Sequence, residues 1–287
     1  MSTVPTYTWK DYRSGLAPVW CPGCGDFSVV AAIYRALAEL RIAPHQLAVI
    51  SGIGCSSRLP GYTTAYGFNA IHGRAIPLAT GLKAARPDTE VLVVGGDGDG
   101  FSIGGGHFPH AARRNVDMTY IVMDNCIYGL TKGQTSPTTP LGEKTATSRY
   151  GWPEQPANPL NLALAYGVSF VAQGFAGDMR TLKSLFVEAM RWKGFAFVEV
   201  HSPCVTYRGR EQFDVVRERA RPVPEDHDPT DRTAAFALAD HPEFMYMGVL
   251  YKKPQDTYEE RLDALRSSAK DASHCGHESF LDQFRTS

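Results

Sequence analysis

The sequence lacks several features that would point to particular classes of protein. No run of apolar residues is long enough to cross a bilayer, and the N-terminus lacks the apolar core of a signal peptide. Neither sign of charge is in excess, since 29 Lys and Arg residues and 30 Asp and Glu residues give a formal net charge of −1. This balance argues against nucleic acid or an anionic membrane surface as a partner. Internal repeats are also missing. We therefore expect a cytoplasmic protein whose 287 residues form one large α/β domain, alone or with an extension.

One stretch organises the rest of the chain. The apolar run 91–94 leads into the glycine-rich turn 95–100, which carries Asp97, and a second apolar run, 120–123, leads to Asn125. Glycines let a backbone approach a phosphate closely, and carboxylate and amide oxygens are ligands that Mg²⁺ prefers beside phosphate. The pattern predicts a site for a phosphate and a magnesium ion. The alternative is a tight strand-to-helix turn without a ligand.

Hydrophobic periodicity predicts alternating strands and helices. The predicted strands are 47–50, 91–94, 120–123, 168–171 and 195–200. The predicted helices are 27–38, 75–85, 101–112, 160–166 and 179–190, with Asp26 and Asp178 as N-cap residues. Strands joined by helices of this length predict a mostly parallel sheet flanked by helices.

The composition divides the chain into three parts. Residues 1–20 form an N-terminal arm, 21–204 the main domain, and 205–287 a charged, proline-containing C-terminal extension with short helices at 231–239 and 258–269. We do not expect the extension to have a core of its own. Within the main domain, 125–159 is long and irregular, which is typical of functional or disordered loops.

Four residues of metal-binding type each follow a predicted strand: Cys55, Asp97, Asn125 and Cys204. The carboxyl ends of parallel strands share one edge of the sheet, and ligands bind at that edge in open α/β folds. We therefore expect these four residues to gather there.

The six cysteines favour metal or redox chemistry over a disulfide framework. Cys21 and Cys24 have the Cys-x-x-Cys spacing of a zinc site, a redox pair or an iron–sulfur site. With Cys55 and Cys204 they make a possible set of four thiolates, which suits structural zinc and a [4Fe–4S] cluster equally. Cys126 points away from Asn125 if the backbone is extended, so we interpret it as structural. The segment 274–277, His-Cys-Gly-His, is interpreted as a solvated surface segment.

Several motifs together resemble a known family. The pair Gly96-Asp97-Gly98 and Asp124-Asn125, separated by 25 residues, resembles the thiamine diphosphate fingerprint. Other segments are similar to the β subunits of 2-oxoacid:ferredoxin oxidoreductases, and in chain order they are 20–25, 52–58, 72–75, 125–131 and 202–204. The resemblance covers roughly residues 15–210, and the order of its motifs makes it specific. It implies the thiamine diphosphate-binding fold.

The resemblance also implies the ligands of three cofactors. Cys21, Cys24, Cys55 and Cys204 would hold one [4Fe–4S] cluster. Asp97, Asn125 and the carbonyl of Ile127 would bind Mg²⁺ with the diphosphate. The residues expected to line the thiamine diphosphate are Ile53, Gly54, Cys55, Ser56, His72, Gly98, Asp99, Gly129 and Leu130. Lys132 occupies a place where many members carry glycine.

The implied activity is oxidative decarboxylation of a 2-oxoacid with coenzyme A, with electrons passing through the cluster to ferredoxin; the reverse reaction would fix CO₂. The resemblance implies that an α subunit, or a fused γα subunit, supplies the glutamate that thiamine catalysis needs. Arg58 is the candidate for pairing with a distal substrate carboxylate, which favours 2-oxoglutarate over pyruvate or a broad range of 2-oxoacids. His72 is a second candidate for substrate or cofactor contact. A thiamine enzyme without redox chemistry and a zinc-stabilised binding protein are the other interpretations.

Overall fold

The computed structural model describes residues 6–272 and 284–285. Its strands are β1 (Leu47–Ser51), β2 (Tyr66–Asn69), β3 (Glu90–Gly96), β4 (Met118–Asp124), β5 (Phe170–Phe175), β6 (Phe195–His201), β7 (Ala220–Pro222) and β8 (Met245–Lys252). They form an eight-stranded sheet in the order β2-β1-β3-β4-β6-β5-β8-β7. Among the strands of the described residues, only β5 and β8 pair antiparallel. This α/β fold with a mostly parallel sheet confirms the predicted fold class.

Helices cover both faces of the sheet. They are α1 (Asp26–Leu40), α2 (Ala75–Ala85), α3 (Phe108–Arg114), α4 (Pro159–Ala165), α5 (Met179–Arg191), α6 (Gln212–Arg219), α7 (Arg232–Ala239) and α8 (Tyr258–Ala272). Shorter helical turns occur at Trp9–Tyr12, Pro44–Gln46, Ser56–Tyr62 and Asp99–Ile103. The helix expected over 101–112 is divided, since Gly104, Gly105 and Gly106 separate the turn after β3 from α3.

The alternation of side chains along each strand builds two hydrophobic cores. Leu92 and Val94 of β3 belong to the core shared with α1 and α5. Val91 and Val93 belong to the opposite core, shared with α2, α3, α4 and α7. The central strands are buried on both faces, which explains why they read as continuous apolar runs. Six parallel strands, β2, β1, β3, β4, β6 and β5, end at one edge of the sheet, and this edge positions the site.

The two predicted N-cap residues have different outcomes. Asp178 caps α5 as predicted, because its carboxylate accepts a hydrogen bond from the backbone N–H of Thr181 at 3.1 Å. The prediction for Asp26 was wrong. Gly25 is the N-cap of α1, and the buried Asp26 carboxylate instead accepts a hydrogen bond from Ser202 Oγ at 2.7 Å. The Asp26 carboxylate therefore bonds to a residue 176 positions away in sequence, whereas the local pattern predicted a bond to the backbone at the start of the helix.

The extension contributes more than the short helices that we expected. Asp231 caps α7, accepting from the N–H of Thr233 at 2.8 Å, and α8 covers the second predicted helix. However, β7 and β8 were not predicted, and β8 extends the main sheet beside β5. The division of the chain into arm, domain and extension stays a prediction. The segment 274–277 lies outside the described residues. In the part of the chain that the structure describes, no helix combines the length and apolarity needed to cross a membrane.

Asn115 joins the main domain to the extension. It follows α3 with a left-handed φ of +53°, and its side chain is buried. Its Oδ1 accepts from Ser169 Oγ at 2.7 Å and from the N–H of Phe195 at 2.8 Å. Its Nδ2 donates to the carbonyls of Gln255 and Asp256, at 3.1 and 3.2 Å, just before α8. Four hydrogen bonds from one buried amide hold β5, β6 and α8 together.

We expect Asn115→Ala to lower the free energy of unfolding by about 2–4 kcal/mol, because several buried polar groups lose their partners. Urea unfolding measures the change. Asn115→Gly is the matched variant, since it also removes the amide but relaxes the left-handed backbone, so its loss should be smaller. Wild-type stability in both variants would contradict the role of this amide.

Candidate functional site

A cavity of about 140 Å³ opens at the carboxyl ends of β1, β3 and β4. All nine residues expected to line the cofactor contribute to its wall, and so do the three expected magnesium ligands, Asp97, Asn125 and Ile127. The cavity therefore gathers residues from four separate segments of the chain. Its remaining lining residues, Gly96, Tyr128 and Thr131, belong to motifs that the sequence already showed.

The Asp97 carboxylate is buried against a second carboxylate. Asp97 is 2 % exposed, and the hydroxyl of Thr138 lies 2.8 Å from both Asp97 Oδ2 and Asp124 Oδ1. Burial, and then the charge of Asp124, raise the pKa of Asp97 to about 7. The Thr138 hydroxyl has one proton and can donate to only one of the two carboxylates. Below about pH 7, a protonated Asp97 therefore donates to Thr138 Oγ1, and the Thr138 hydroxyl donates to Asp124. A bound cation would replace that proton.

A third buried carboxylate, that of Glu199, lies near Asp124 and does not line the cavity. Burial, and then the charge of Asp124, raise the pKa of Glu199 well above its ordinary range. The side-chain amide of Gln173 donates to Glu199 Oε2 at 3.1 Å and lies 3.0 Å from His201 Nε2. Thr138 and Glu199 were not predicted from sequence, because a threonine in an irregular loop and an acid within a strand carry no local signal of this role.

Asp99 connects three loops. Its Oδ1 accepts hydrogen bonds from the N–H of Ile53 at 2.9 Å and of Gly73 at 2.8 Å, and it lies 2.8 Å from His72 Nδ1. A Cβ on Gly52 would lie 2.1 Å from Asp99 Oδ2, so only glycine fits there. The Asp99 carboxylate thus holds the loops after β1 and β2 against the glycine turn. With Nδ1 bound to Asp99, Nε2 is the ring nitrogen of His72 left for a ligand.

The loop after β4 has a defined shape. The N–H of Ile127 donates to Asn125 Oδ1 at 3.0 Å, which places the amide and the Ile127 peptide on one tight turn. Lys132 adopts a left-handed φ of +79°. This conformation, which glycine accepts freely, costs a lysine about 1–2 kcal/mol. The chain therefore keeps the glycine-like backbone at the position where it departs from the family pattern.

The four candidate cluster thiols lie near one another, although they come from three distant segments. A Cβ built on Gly129 would be 3.5 Å from Cys204 Sγ and 3.7 Å from Cys55 Sγ. Burial, and then the neighbouring Asp26, Cys204 and Cys21, raise the pKa of the Cys55 thiol to about 11. Burial, Asp26, Cys55 and Cys204 act together to raise the pKa of Cys24. All four cysteines are free. Among the described residues, no three His, Cys, Asp or Glu side chains are arranged to hold a single metal ion.

Trp20 ties two of these segments together. Its indole N–H donates to the Cys55 carbonyl at 2.7 Å. The ring is buried between Phe27 and Tyr62, with edge contacts at 5.3 and 4.9 Å between ring centroids. Since Trp20 precedes Cys21, this bond fixes the Cys-x-x-Cys segment against the loop after β1.

The structure does not bring every candidate to the cavity. Arg58 is exposed on the turn Ser56–Tyr62 and is not part of the cavity wall. Cys126 lines a different cavity, of about 440 Å³, on the other side of Asp124 and Thr138. It does face away from Asn125, but through a left-handed φ of +57° rather than an extended backbone. A larger groove of about 700 Å³ between β2 and α2 contains none of the candidate site residues.

Comparison with known proteins first defines the class. The family model described as "Thiamine pyrophosphate enzyme, C-terminal TPP binding domain" matches residues 52–200, which contain the cavity. A second model, which describes the C-terminal part of the pyruvate ferredoxin oxidoreductase β chain, matches residues 204–267. The fold and cavity are therefore those of a thiamine diphosphate-dependent enzyme.

Individual relatives define the family. The β subunit of 2-oxoacid:ferredoxin oxidoreductase 2 from Aeropyrum pernix is 41% identical over 271 residues, covering 90% of this chain and 88% of the relative. The 2-oxoglutarate synthase subunit KorB of Methanocaldococcus jannaschii is 45% identical over 205 residues, covering 71% and 75%. A 2-oxoglutarate:ferredoxin oxidoreductase structure from Magnetococcus marinus, with 2-oxoglutarate, coenzyme A and succinyl-CoA bound, superposes with a TM-score of 0.93. It is 45% identical, and the match covers 100% of this chain and 98% of that one. The chain belongs to the β subunits of the 2-oxoacid:ferredoxin oxidoreductases, which work with an α subunit and a ferredoxin.

The raised pKa of Asp97 predicts how the stability of the metal-free chain depends on pH. Its native pKa of about 7 lies above the ordinary value of 3.8, so between these values the native state binds more protons than the unfolded state. Stability from this group is therefore present below about pH 4 and is lost as pH rises through about 7. Thermal unfolding at about pH 5.5 and pH 8 should show a larger loss in the wild type than in Asp97→Asn. An equal loss in both would show that Asp97 does not titrate in this range.

Proposed function

We propose that this β subunit holds thiamine diphosphate, Mg²⁺ and one [4Fe–4S] cluster in a coenzyme A-dependent 2-oxoglutarate:ferredoxin oxidoreductase. The reaction would convert 2-oxoglutarate to succinyl-CoA and CO₂ and run in either direction. One observation carries the proposal: the cavity that collects Asp97, Asn125 and Ile127 also includes Cys55, whose sulfur lies beside Cys204. A thiamine site and a thiol cluster therefore share one wall.

The donors fit Mg²⁺ and a diphosphate. A carboxylate, an amide and a backbone carbonyl are hard oxygen ligands, which Mg²⁺ takes together with phosphate oxygens. The glycine turn fits as well, because a Cβ on Gly98 would collide with the ring of Tyr128 at 2.3 Å. Position 98 of the turn therefore stays without a side chain, between the carboxylates of Asp97 and Asp99. Asp97, Asn125 and Ile127 would hold the metal.

The four candidate thiols are suitable ligands for the positively charged core of an iron–sulfur cluster. In the metal-free chain, burial and the nearby Asp26 disfavour the thiolate forms of Cys24 and Cys55. A bound iron centre supplies positive charge that reverses this preference and deprotonates its thiol ligands. Cys21, Cys24, Cys55 and Cys204 would hold the cluster, and the Trp20 bond to Cys55 keeps their segments together.

When bound, thiamine diphosphate would supply the electron sink for decarboxylation, and the cluster would supply one-electron chemistry. The chain's own residues orient and shield these groups. Asp99 fixes the loops that carry Ile53 and His72, and His72 lines the cavity while its Nδ1 lies beside Asp99. The buried carboxylates and the glycine turn keep the diphosphate end of the cavity rigid.

The α subunit would complete the site. None of the described residues that line the cavity is a glutamate, and its two carboxylates, Asp97 and Asp99, are already engaged. Exposed apolar side chains surround the opening: Ile53 and Leu130 on the wall, and Ile71 and Ile103 beside it. Such a rim is typical of a surface that a partner covers. We therefore place the α subunit, with the missing carboxylate, over this opening.

The chain and its α subunit, purified together, test the function. We expect iron and acid-labile sulfide, a visible absorption band that dithionite bleaches, and coenzyme A-dependent viologen reduction with 2-oxoglutarate. The chain alone should show no turnover, because half of the site is missing. Zinc without iron, or full turnover by the single chain, would contradict the proposal, and faster reduction with pyruvate would reassign the substrate.

Arg58 is our candidate for recognising the distal carboxylate of 2-oxoglutarate. It lies three residues after Cys55, and its charge acts on that thiol. A guanidinium can bind a carboxylate through two parallel hydrogen bonds. It is exposed and lies outside the cavity wall, and we infer that the substrate and the α subunit would cover it.

Arg58→Ala should raise the Michaelis constant for 2-oxoglutarate by about 10- to 100-fold, the expected cost of a lost charge-assisted hydrogen bond, and should change the constant for pyruvate much less. Steady-state kinetics of the αβ complex with both substrates measure the difference. Arg86→Ala, an exposed arginine that pairs with Asp88, is the control. An equal effect of Arg58→Ala on both substrates would refute this role.

A further inference from the structure

Gly129 borders both the cofactor cavity and two of the candidate cluster thiols. It lines the cavity with Cys55 and Leu130. The position of a Cβ on Gly129 would be 3.5 Å from Cys204 Sγ and 3.7 Å from Cys55 Sγ. At this point of the cavity wall, the backbone of Gly129 lies next to both sulfurs with no side chain of its own.

The backbone itself does not require glycine here. Gly129 is not among the described glycines with a left-handed φ, unlike Gly133 in the same loop with a φ of +93°. The distances of 3.5 and 3.7 Å are ordinary van der Waals separations, so a methyl group fits beside the thiols of the metal-free chain. What a methyl group would remove is the free space next to both sulfurs.

We propose that Gly129 is a positioning residue, which reserves the space beside the Cys55 and Cys204 sulfurs for the inorganic core of the cluster. This inference rests on the proposed function. Atoms that pack on a metal centre without binding it control its stability, its solvent access and its redox potential. A side chain at position 129 would occupy the space next to both sulfurs and press on the cluster.

Gly129→Ala tests this role in the complex with the α subunit. Gly106→Ala is the matched control, because a Cβ there meets no atom within 4 Å and its φ is not left-handed. We expect the Gly129 variant to fold and to retain thiamine diphosphate like the wild type. It should lose iron to a chelator about tenfold faster, the usual size of effect for residues next to metal ligands, and its cluster should have a shifted reduction potential in an EPR-monitored titration.

The outcomes separate this proposal from the function on which it rests. A wild-type complex without iron refutes the proposed function itself. With iron present in the wild type, unchanged iron loss and potential in Gly129→Ala overturn the role of Gly129. Failure of the variant to fold also overturns it, because the methyl group should fit the metal-free chain. Equal loss of thiamine diphosphate and iron would show that the residue serves the cavity instead.

Discussion

The arrangement of the site depends on one buried carboxylate oxygen. Asp99 Oδ1 binds the backbone of the loop after β1, the backbone of the loop after β2, and the His72 ring. A buried carboxylate is costly unless hydrogen bonds compensate it, and here the compensating donors belong to the segments that must be positioned. The same bonds that stabilise the charge therefore fix the cavity. Parallel strands bring the loops to one edge, and Asp99 sets their distances there.

Local patterns in the sequence were sufficient for most of the fold. The strands β1, β3, β4 and β6 are apolar because helices cover both of their faces, so short apolar runs identify them. The convergence of Asp97 and Asn125 follows from where those strands end, and it needed no family knowledge. The identity of the proposed metal centre did need it, because four thiols alone fit zinc as well as iron.

The features that could not be predicted depend on partners distant in sequence. The strand β2 is exposed throughout, so it has no apolar run, and β8 is only partly buried beside β5. Asp26 has the local pattern of a helix cap, but Ser202, which is near only in the folded chain, binds it. Thr138 acquires its role because Asp97 and Asp124 meet across two strands. These contacts form only in the tertiary structure, so no local periodicity in the sequence predicts them.

The distribution of the four thiols along the chain has a consequence for the order of maturation. Cys21 and Cys24 precede α1, Cys55 follows β1, and Cys204 follows β6. They become neighbours only after the first and the central strands have joined one sheet. A metal centre that uses all four can close only on a nearly complete native fold. The proposed cluster would therefore be completed late in folding, and a chain with misassembled strands would lack the full set of ligands.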